Sequence, residues 1–344
     1  MDGETKPDLK TAIKAMPKAE LHRHLEGCVR LSTILRTARR HNIDLPAYDE
    51  AGLAKFARLS GPMGSLAEVL RMFRIVQSVF VSYGVIEEIT RQALEDAYKK
   101  ENIRLLELRY SPDFMLKDKG LEWRKALEVI VSAVNSFQRK YPVFAGVIVI
   151  ASRSHGMESV MKTVDFAVEN KNRICGFDFA DDEINYPSAQ YAGAAKKLRE
   201  AGIPLTVHSG EEGSFSQVLD AINFLDPKRI GHGVKAIDDP SGATLALIKE
   251  KGITVETNPY SNYLTRAVER IEDHPLKKFM DAGVSVSISA DDPEILDTDL
   301  NREYLLAVEK LGLAEADLLR ANKYALAASF LPPDKKQEAE KWFL

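Results

Sequence analysis

The chain has 344 residues, 45% of them apolar, with a formal net charge of −4 and an isoelectric point near 6.1. This composition can bury a large core, and the weak negative charge excludes the basic surface that nucleic acid or an anionic membrane requires. The two cysteines, Cys28 and Cys175, are too few for a disulfide framework. The polar first ten residues and the lack of a long apolar run predict a soluble, cytoplasmic protein.

The predicted elements alternate between short strands and helices along the chain. Helical periodicity fills segments such as Leu66–Phe80 and Leu121–Tyr141. The strand candidates are apolar or β-branched runs at Ala19–His24, Ile103–Tyr110, Val143–Ala151, Ile174–Phe179, Pro204–His208, Arg229–His232, Ile253–Thr257 and Val284–Ser289. This alternation predicts one α/β domain over residues 1–344, a (β/α)8 TIM barrel, with a doubly wound sheet as the alternative.

The segment between Gly27 and Asn102 is too long for a simple loop and contains helical periodicity. We therefore expect extra helices, inserted after the first strand, over the mouth of the barrel. Within them, Ser60–Ser65 (SGPMGS) is predicted to be a mobile turn. The insertion can be a lid or a purely structural addition, and the sequence leaves both open.

Polar residues that are unusual in strand interiors fall at the ends of the predicted strands. Because a barrel of this type carries its chemistry at the C-terminal ends of its strands, these residues are predicted to share one rim. His22 and His24 close the first strand, His208 the fifth and His232 the sixth, while Asp291 and Asp292 follow the eighth.

A metal site is predicted from four of these residues. His22 and His24 are two apart on a strand and so point to the same face. With His208 and Asp291 they supply three nitrogens and one oxygen, a set that suits Zn²⁺ with room for a water of lowered pKa. Two-metal barrel hydrolases usually have a lysine at the end of the fourth strand, and this chain has none there, so one ion is predicted.

Two further residues near this rim each have two interpretations. Glu211, three residues beyond His208, is either an acid that protonates a ring nitrogen or simply an acidic residue at the start of the next helix. His232 lies between two glycines and is either the group that polarises the nucleophilic water or a buried structural histidine.

The remaining histidines give weaker signals. His155 follows the third strand and is placed near the rim, where it could line the pocket. His41 and His274 fall in helical or loop sequence and are predicted to be plain surface residues.

Five motifs together resemble the adenosine deaminases, especially the bacterial ones. They run in family order from Pro17 to Pro293 and read MPKAELHRHLEG, TVHSGEE, RIGHGVKAI, HPLKKFMDAG and SISADDP. The resemblance implies a (β/α)8 barrel that holds one zinc ion. It also implies hydrolytic removal of the 6-amino group of a purine nucleoside, yielding the 6-oxo nucleoside and ammonia.

The resemblance also implies a role for each site residue. Glu211 resembles the acid that protonates purine N1, and His232 the group that positions the hydroxide and stabilises charge. Asp291 would also take a proton from the water, Asp292 would hydrogen-bond purine N7, and His24 would also contact substrate. The residues that resemble the zinc ligands are His22, His24, His208 and Asp291.

Several positions depart from the family pattern. Glu26 replaces the usual aspartate of H-x-H-L-D-G, which contacts the ribose 5′-hydroxyl. Asp181 replaces a glycine whose N–H binds purine N3; it keeps an N–H but disfavours a positive φ. Thr257–Asn262 (TNPYSN) and Ser289-Ala290 also differ from the family, but neither change removes a ligand.

The leading hypothesis is therefore deamination of adenosine or 2′-deoxyadenosine, with a small-molecule purine nucleoside as the binding partner. The first alternative keeps the chemistry on adenine, aminodeoxyfutalosine or an N6-substituted nucleotide, although Glu26 would repel a phosphate. The others are a metal-dependent hydrolase of esters or amides and a catalytically inactive binding protein. No partner nucleic acid or membrane is expected, and no oligomeric state is predicted.

Overall fold

The computed structural model describes residues 8–64 and 66–343. Residues 1–7, part of the polar N-terminal segment, and Ser65, in the predicted mobile turn, lie outside this range. Within it, parallel strands form one sheet in chain order, each hydrogen-bonded to the next. They are β1 (Lys18–His24), β2 (Ile103–Tyr110), β3 (Phe144–Ser152), β4 (Gly176–Ala180), β5 (Leu205–Ser209), β6 (Arg229–His232), β7 (Thr254–Thr257) and β8 (Ser285–Ile288). The predicted (β/α)8 barrel is confirmed.

Helices alternate with the strands along the chain. They are α1 (Leu9–Ala15), α2 (Leu31–His41), α3 (Glu50–Ala57), α4 (Leu66–Ser78), α5 (Tyr83–Lys99), α6 (Pro112–Met115), α7 (Trp123–Lys140), α8 (Gly156–Glu169), α9 (Ala192–Glu200), α10 (Phe215–Asp220), α11 (Ala243–Glu250), α12 (Pro259–Leu264), α13 (Leu276–Asp281), α14 (Leu300–Glu309), α15 (Glu315–Ala328) and α16 (Pro333–Glu340). None of the described helices is long and apolar enough to cross a bilayer.

Glycines stop the helices that precede three of the strands. Gly202, Gly252 and Gly283 follow α9, α11 and α13, and their φ angles are 79°, 63° and 77°. In this left-handed region a side chain is unfavourable, so glycine ends the helix at little cost. The chain then turns directly into β5, β7 or β8.

The barrel closes between its first and last strands. The N–H of His24 donates to the carbonyl of Asp291 at 3.0 Å, and the N–H of Asp291 donates to the carbonyl of His22 at 3.1 Å. This parallel bridge extends β8 by a few residues along β1. Closure therefore places the polar residues after β8 beside the histidines that end β1.

The insertion after β1 consists of α2 to α5, as predicted. Backbone hydrogen bonds attach it to the C-terminal mouth of the barrel. The N–H of Leu59 donates to the carbonyl of Ile295, and the N–H of Met63 donates to the carbonyl of Leu264, both at 2.8 Å. Because Ile295 follows β8 and Leu264 ends α12 after β7, the insertion lies over the same rim as the predicted site.

Candidate active site

The polar residues predicted at the strand ends form one cluster at the mouth of the barrel. His22, His208 and His232 are almost fully buried, and their ring centroids lie 4.6 to 5.1 Å apart. His24 is half-buried, with its ring centroid 5.3 Å from those of His22 and His208. Asp291 lies against His22 and His24.

Three donor atoms of this cluster have the spacing of ligands around one small metal ion. His22 Nε2, His24 Nε2 and Asp291 Oδ1 lie 3.3 Å from one another in every pairing. Two ligands at the usual zinc bond lengths and at a tetrahedral angle are separated by about 3.3 Å. A second possible group joins His22 to His208 and His232, so the cluster offers five candidate donors.

Carboxylates behind two of the histidines orient their rings. His22 Nδ1 lies 2.7 Å from Glu256 Oε2, and His208 Nδ1 lies 3.0 Å from Asp178 Oδ2. An ionised carboxylate only accepts hydrogen bonds, so each Nδ1 carries a proton and each Nε2 keeps a free lone pair. This is the arrangement found behind metal-binding histidines.

One arginine connects these two carboxylates inside the barrel. Arg109 donates from Nη1 to Asp178 at 2.7 Å and from Nη2 to Glu256 at 2.8 Å, and it is fully buried. The histidines His22 and His208 therefore share a single supporting network. Sequence reasoning missed Arg109 and Glu256, although a charged residue inside an apolar strand such as IRLLELRY or ITVET was a usable signal.

Glu211 lies against one member of the donor cluster. Its Oε2 is 3.4 Å from His232 Nε2, and its Oε1 accepts a hydrogen bond from Thr265 at 3.0 Å. Burial, and secondarily the charge of Asp291, raise the pKa of Glu211 to about 7. The alternative that Glu211 is an acid at the start of the next helix is wrong. α10 begins only at Phe215, so Glu211 lies before the first helical turn, where an acid would stabilise the helix.

A second buried glutamate holds the loop that carries Glu211. The carboxylate of Glu183 accepts hydrogen bonds at 2.7 to 3.2 Å from the Ser209 hydroxyl and from four consecutive backbone N–H groups, those of Gly210, Glu211, Glu212 and Gly213. A carboxylate that accepts this many donors is strongly fixed in place. No role for Glu183 was predicted from the sequence.

The backbone is strained at two of the cluster residues. The φ angle is 64° at His232 and 62° at Asp291, in the left-handed region that non-glycine residues rarely adopt. A Cβ at Gly231 would lie 3.0 Å from the His22 ring. The glycine before His232 therefore leaves room for the His22 ring.

Two acids next to the cluster, the buried Glu26 and the half-buried Asp292, each have a buried oxygen without a partner among the described residues. Glu26 accepts from the N–H of Ser111 through Oε1, whereas its Oε2 and the Oδ1 of Asp292 have no partner among the described residues. Burial raises the pKa of both carboxyls, that of Glu26 to about 7. Gly27 lies between them, and a Cβ there would come within 2.1 Å of Asp292 Oδ1.

Asp181 adopts the conformation that an aspartate was expected to disfavour. Its φ is 78°, so the left-handed turn is kept despite the side chain. The carboxylate accepts hydrogen bonds from Ser152 and Ser154 and, at 2.9 Å, from the N–H of Asp182. Local hydrogen bonds of this kind are why aspartate tolerates left-handed backbone better than most residues.

Three histidines lie outside the cluster: His41, His155 and His274. The surface prediction is confirmed for the first and wrong for the last. His41 is exposed, as expected, but His274 is 3% exposed and is linked to His232 through Asn262, so its assignment to the surface was wrong. His155 pairs with Asp113 at 2.8 Å and lines a cavity of about 580 Å³ with Lys117.

A (β/α)8 barrel with a histidine and aspartate donor set at its C-terminal mouth defines the class of metal-dependent barrel hydrolases. Comparison with known sequences then identifies the family. The profile of the family "Adenosine deaminase" matches residues 17–341. The adenosine deaminase of Shewanella loihica is 31% identical over 323 residues, which cover 94% of this chain and 97% of that protein. The chain belongs to the adenosine deaminase family.

Two solved structures share the fold. Adenine deaminase from Arthrobacter aurescens has a TM-score of 0.86 at 23% identity, covering 95% of this chain and 99% of that one. The N6-methyl-AMP deaminase of Arabidopsis thaliana has a TM-score of 0.83 at 25% identity, covering 97% and 98%. The protein is accordingly a hydrolase of a metal-dependent family that removes amino groups from adenine-type compounds.

Proposed function

We propose that this chain is a zinc-dependent adenosine and 2′-deoxyadenosine deaminase that produces inosine or 2′-deoxyinosine and ammonia. The observation that carries the proposal is Glu211, an acid with a pKa raised to about 7, whose Oε2 lies 3.4 Å from Nε2 of His232 in the donor cluster. A purine held between these groups has its ring nitrogen beside an acid and its C6 carbon beside the cluster.

The proposed metal ligands are His22, His24, His208 and Asp291, which hold one zinc ion per chain. The mutual 3.3 Å spacing of three of the four donor atoms supports this assignment. A zinc ion in such a site lowers the pKa of a water to about 7 and so supplies a nucleophile at neutral pH.

The chain's own residues then carry the proton transfers. Glu211 donates a proton to purine N1, which makes C6 electrophilic, and Asp291 accepts the proton of the attacking water. His232 holds the attacking oxygen in place and stabilises the charge that develops on it. Asp291 then passes the water's proton to the amino group, and the C6 hydroxyl gives its proton to the Glu211 carboxylate. The C6–N bond breaks, ammonia leaves, and the ring keeps the new oxygen as a C6 carbonyl.

Three residues are proposed to bind the rest of the substrate. A protonated Asp292, whose pKa is raised by burial and by the neighbouring charge of Asp291, donates a hydrogen bond to purine N7. The N–H of Asp181 faces N3, and Glu26 faces the 5′ end of the ribose beside His24. The whole chain is proposed to act as a single catalytic domain, and its cytoplasmic location remains a prediction.

A second candidate keeps this chemistry and changes the substrate to adenine or another 6-aminopurine compound. Glu26 favours it, because this buried acid is longer than the family aspartate and its Oε2 has no partner among the described residues. The N6-methyl-AMP deaminase of Arabidopsis shows that this fold also serves a nucleotide.

Ammonia release by the zinc-loaded protein tests both candidates on adenosine, 2′-deoxyadenosine, adenine, AMP and aminodeoxyfutalosine. We expect kcat/KM for the nucleosides above about 10⁴ M⁻¹s⁻¹, an ordinary enzyme value. Turnover confined to another compound replaces the nucleoside as substrate but keeps the chemistry. No turnover of any of these with zinc bound contradicts the proposal.

A further inference from the structure

His274 is a buried histidine that the proposed chemistry does not use. It follows a short 3-10 helix (Ile271–Asp273) and precedes α13. The backbone N–H of Leu276 donates to its Nδ1 at 3.2 Å. Because a backbone amide can only donate, this nitrogen carries no proton, and the proton of the neutral ring is on Nε2. Burial keeps the ring neutral by lowering its pKa to about 3.

The protonated nitrogen of His274 determines the orientation of a neighbouring amide. His274 Nε2 lies 3.1 Å from Asn262 Oδ1, which accepts its proton. The NH₂ group of Asn262 therefore points the other way, toward His232 Nδ1 at 3.0 Å. An amide nitrogen only donates, so His232 Nδ1 must accept.

Asn258 also contacts His232 Nδ1, at 3.1 Å, but it cannot reverse this assignment. Its Oδ1 has no partner among the described residues, so nothing else fixes its orientation. Turning its amide around would direct a carbonyl oxygen at a nitrogen that already accepts from Asn262. Asn262, which is held from both sides, decides the proton position.

We propose that His274 is a positioning residue that acts through Asn262 to keep the proton of His232 on Nε2. The Nε2 atom is the one that faces the site, 3.4 Å from Glu211 Oε2. His232 then enters the site as a hydrogen-bond donor.

This proton position distinguishes the two possible metal groups. A histidine binds a metal through an unprotonated nitrogen, so an Nε2–H excludes His232 from the ligands. The group of His22, His24 and Asp291 keeps its donor atoms free. The catalytic role of the His232 Nε2–H rests on the proposed function, whereas the position of this proton does not.

The direct test is a long-range ¹H–¹⁵N correlation spectrum of the zinc-loaded full chain labelled with ¹⁵N-histidine. The signals of His232 are assigned by their loss in the His232→Gln variant. We expect a proton on Nε2 and none on Nδ1. A proton on Nδ1, or the shift of a metal-bound Nε2, overturns the proposal whether or not the protein deaminates a purine.

Two variants of His274 separate positioning from packing. His274→Gln can still donate a hydrogen bond to Asn262, whereas His274→Phe fills the volume without a donor. We expect His274→Phe to lower kcat about 10- to 100-fold with little change in KM, as is typical for loss of a supporting hydrogen bond. The Gln variant should retain at least about tenfold more kcat than the Phe variant and the same His232 proton position.

Equal kcat values for the two folded variants contradict the proposal. If His274→Phe does not fold, the spectra of the wild type and of His274→Gln still test the proposal. A proton found on Nδ1 of His232 in either one refutes the positioning role of His274. Failure of the proposed function looks different, since it removes turnover from the wild type without changing its spectrum.

Discussion

Replacing Glu211 by glutamine tests the central feature of the site. The amide keeps the size of the side chain and can still accept from Thr265, so the fold and the donor cluster should be unaffected. What is lost is the proton that the carboxyl group, with its pKa raised to about 7, can give to a ring nitrogen. The variant should bind zinc normally.

The expected loss follows from that proton transfer. A general acid typically contributes about 10²- to 10⁴-fold, which corresponds to about 3–5 kcal/mol of transition-state stabilisation. The wild type should also show a basic limb in kcat/KM. Only the protonated Glu211 carboxyl is active, and it loses its proton as pH rises through about 7. Each further pH unit therefore lowers kcat/KM about tenfold.

Steady-state ammonia release between pH 5 and 9, with zinc content measured in parallel, gives both quantities. Glu212→Gln is the matched control, because Glu212 is the adjacent exposed glutamate. Glu211→Gln should lose the basic limb together with its rate, and Glu212→Gln should keep both. A near-normal kcat in Glu211→Gln, or a basic limb that survives in it, would falsify the assigned role.

Three more substitutions test the supports of the site and the core. Glu183→Gln removes part of the carboxylate that accepts hydrogen bonds from the loop carrying Glu211. The value of kcat should fall about 100-fold, as for a catalytic group misplaced by about 1 Å; an unchanged kcat contradicts the role of Glu183 in holding this loop. Asp178→Asn should weaken zinc affinity about 10- to 100-fold in competition with a chelator, and equal affinity contradicts its orienting role. Burial raises the pKa of the Glu303 carboxyl to about 8, whereas the same carboxyl in the unfolded chain loses its proton near pH 4.5. The proton that only the folded chain retains stabilises the fold, and this stabilisation is lost as pH rises through 8. Urea unfolding of Glu303→Gln should show a stability advantage over wild type that grows between pH 5 and 8, by at most about 1.4 kcal/mol per pH unit; Glu309→Gln, exposed on the same helix, should show no such trend.

The barrel could be predicted from the sequence because its signals are local. Each strand is a short apolar run, and glycines such as Gly252 and Gly283 end the preceding helices within a few residues. The common rim of His22, His208 and Asp291 follows from topology alone, since all parallel strands of a barrel point their C-terminal ends the same way.

The supports behind these residues could not be predicted, because they depend on distant pairings. Glu183 reaches the loop after the next strand, and Arg109 joins carboxylates from β4 and β7. His274 was misassigned because its neighbours, RIEDHP, are polar and resemble exposed loop. The structure shows instead that His274 is buried and contacts Asn262.

The hydrogen bonds that close the barrel have a consequence for biosynthesis. His22 and His24 leave the ribosome early, but their partner Asp291 lies at the start of about the last sixth of the chain, and the backbone bridge forms only after it has been made. Such long-range pairing is slow to form and comes late in folding. A nascent or truncated chain therefore lacks the pairing of the donor atoms that are proposed to hold zinc, and metal retention is expected to mark a barrel that has closed.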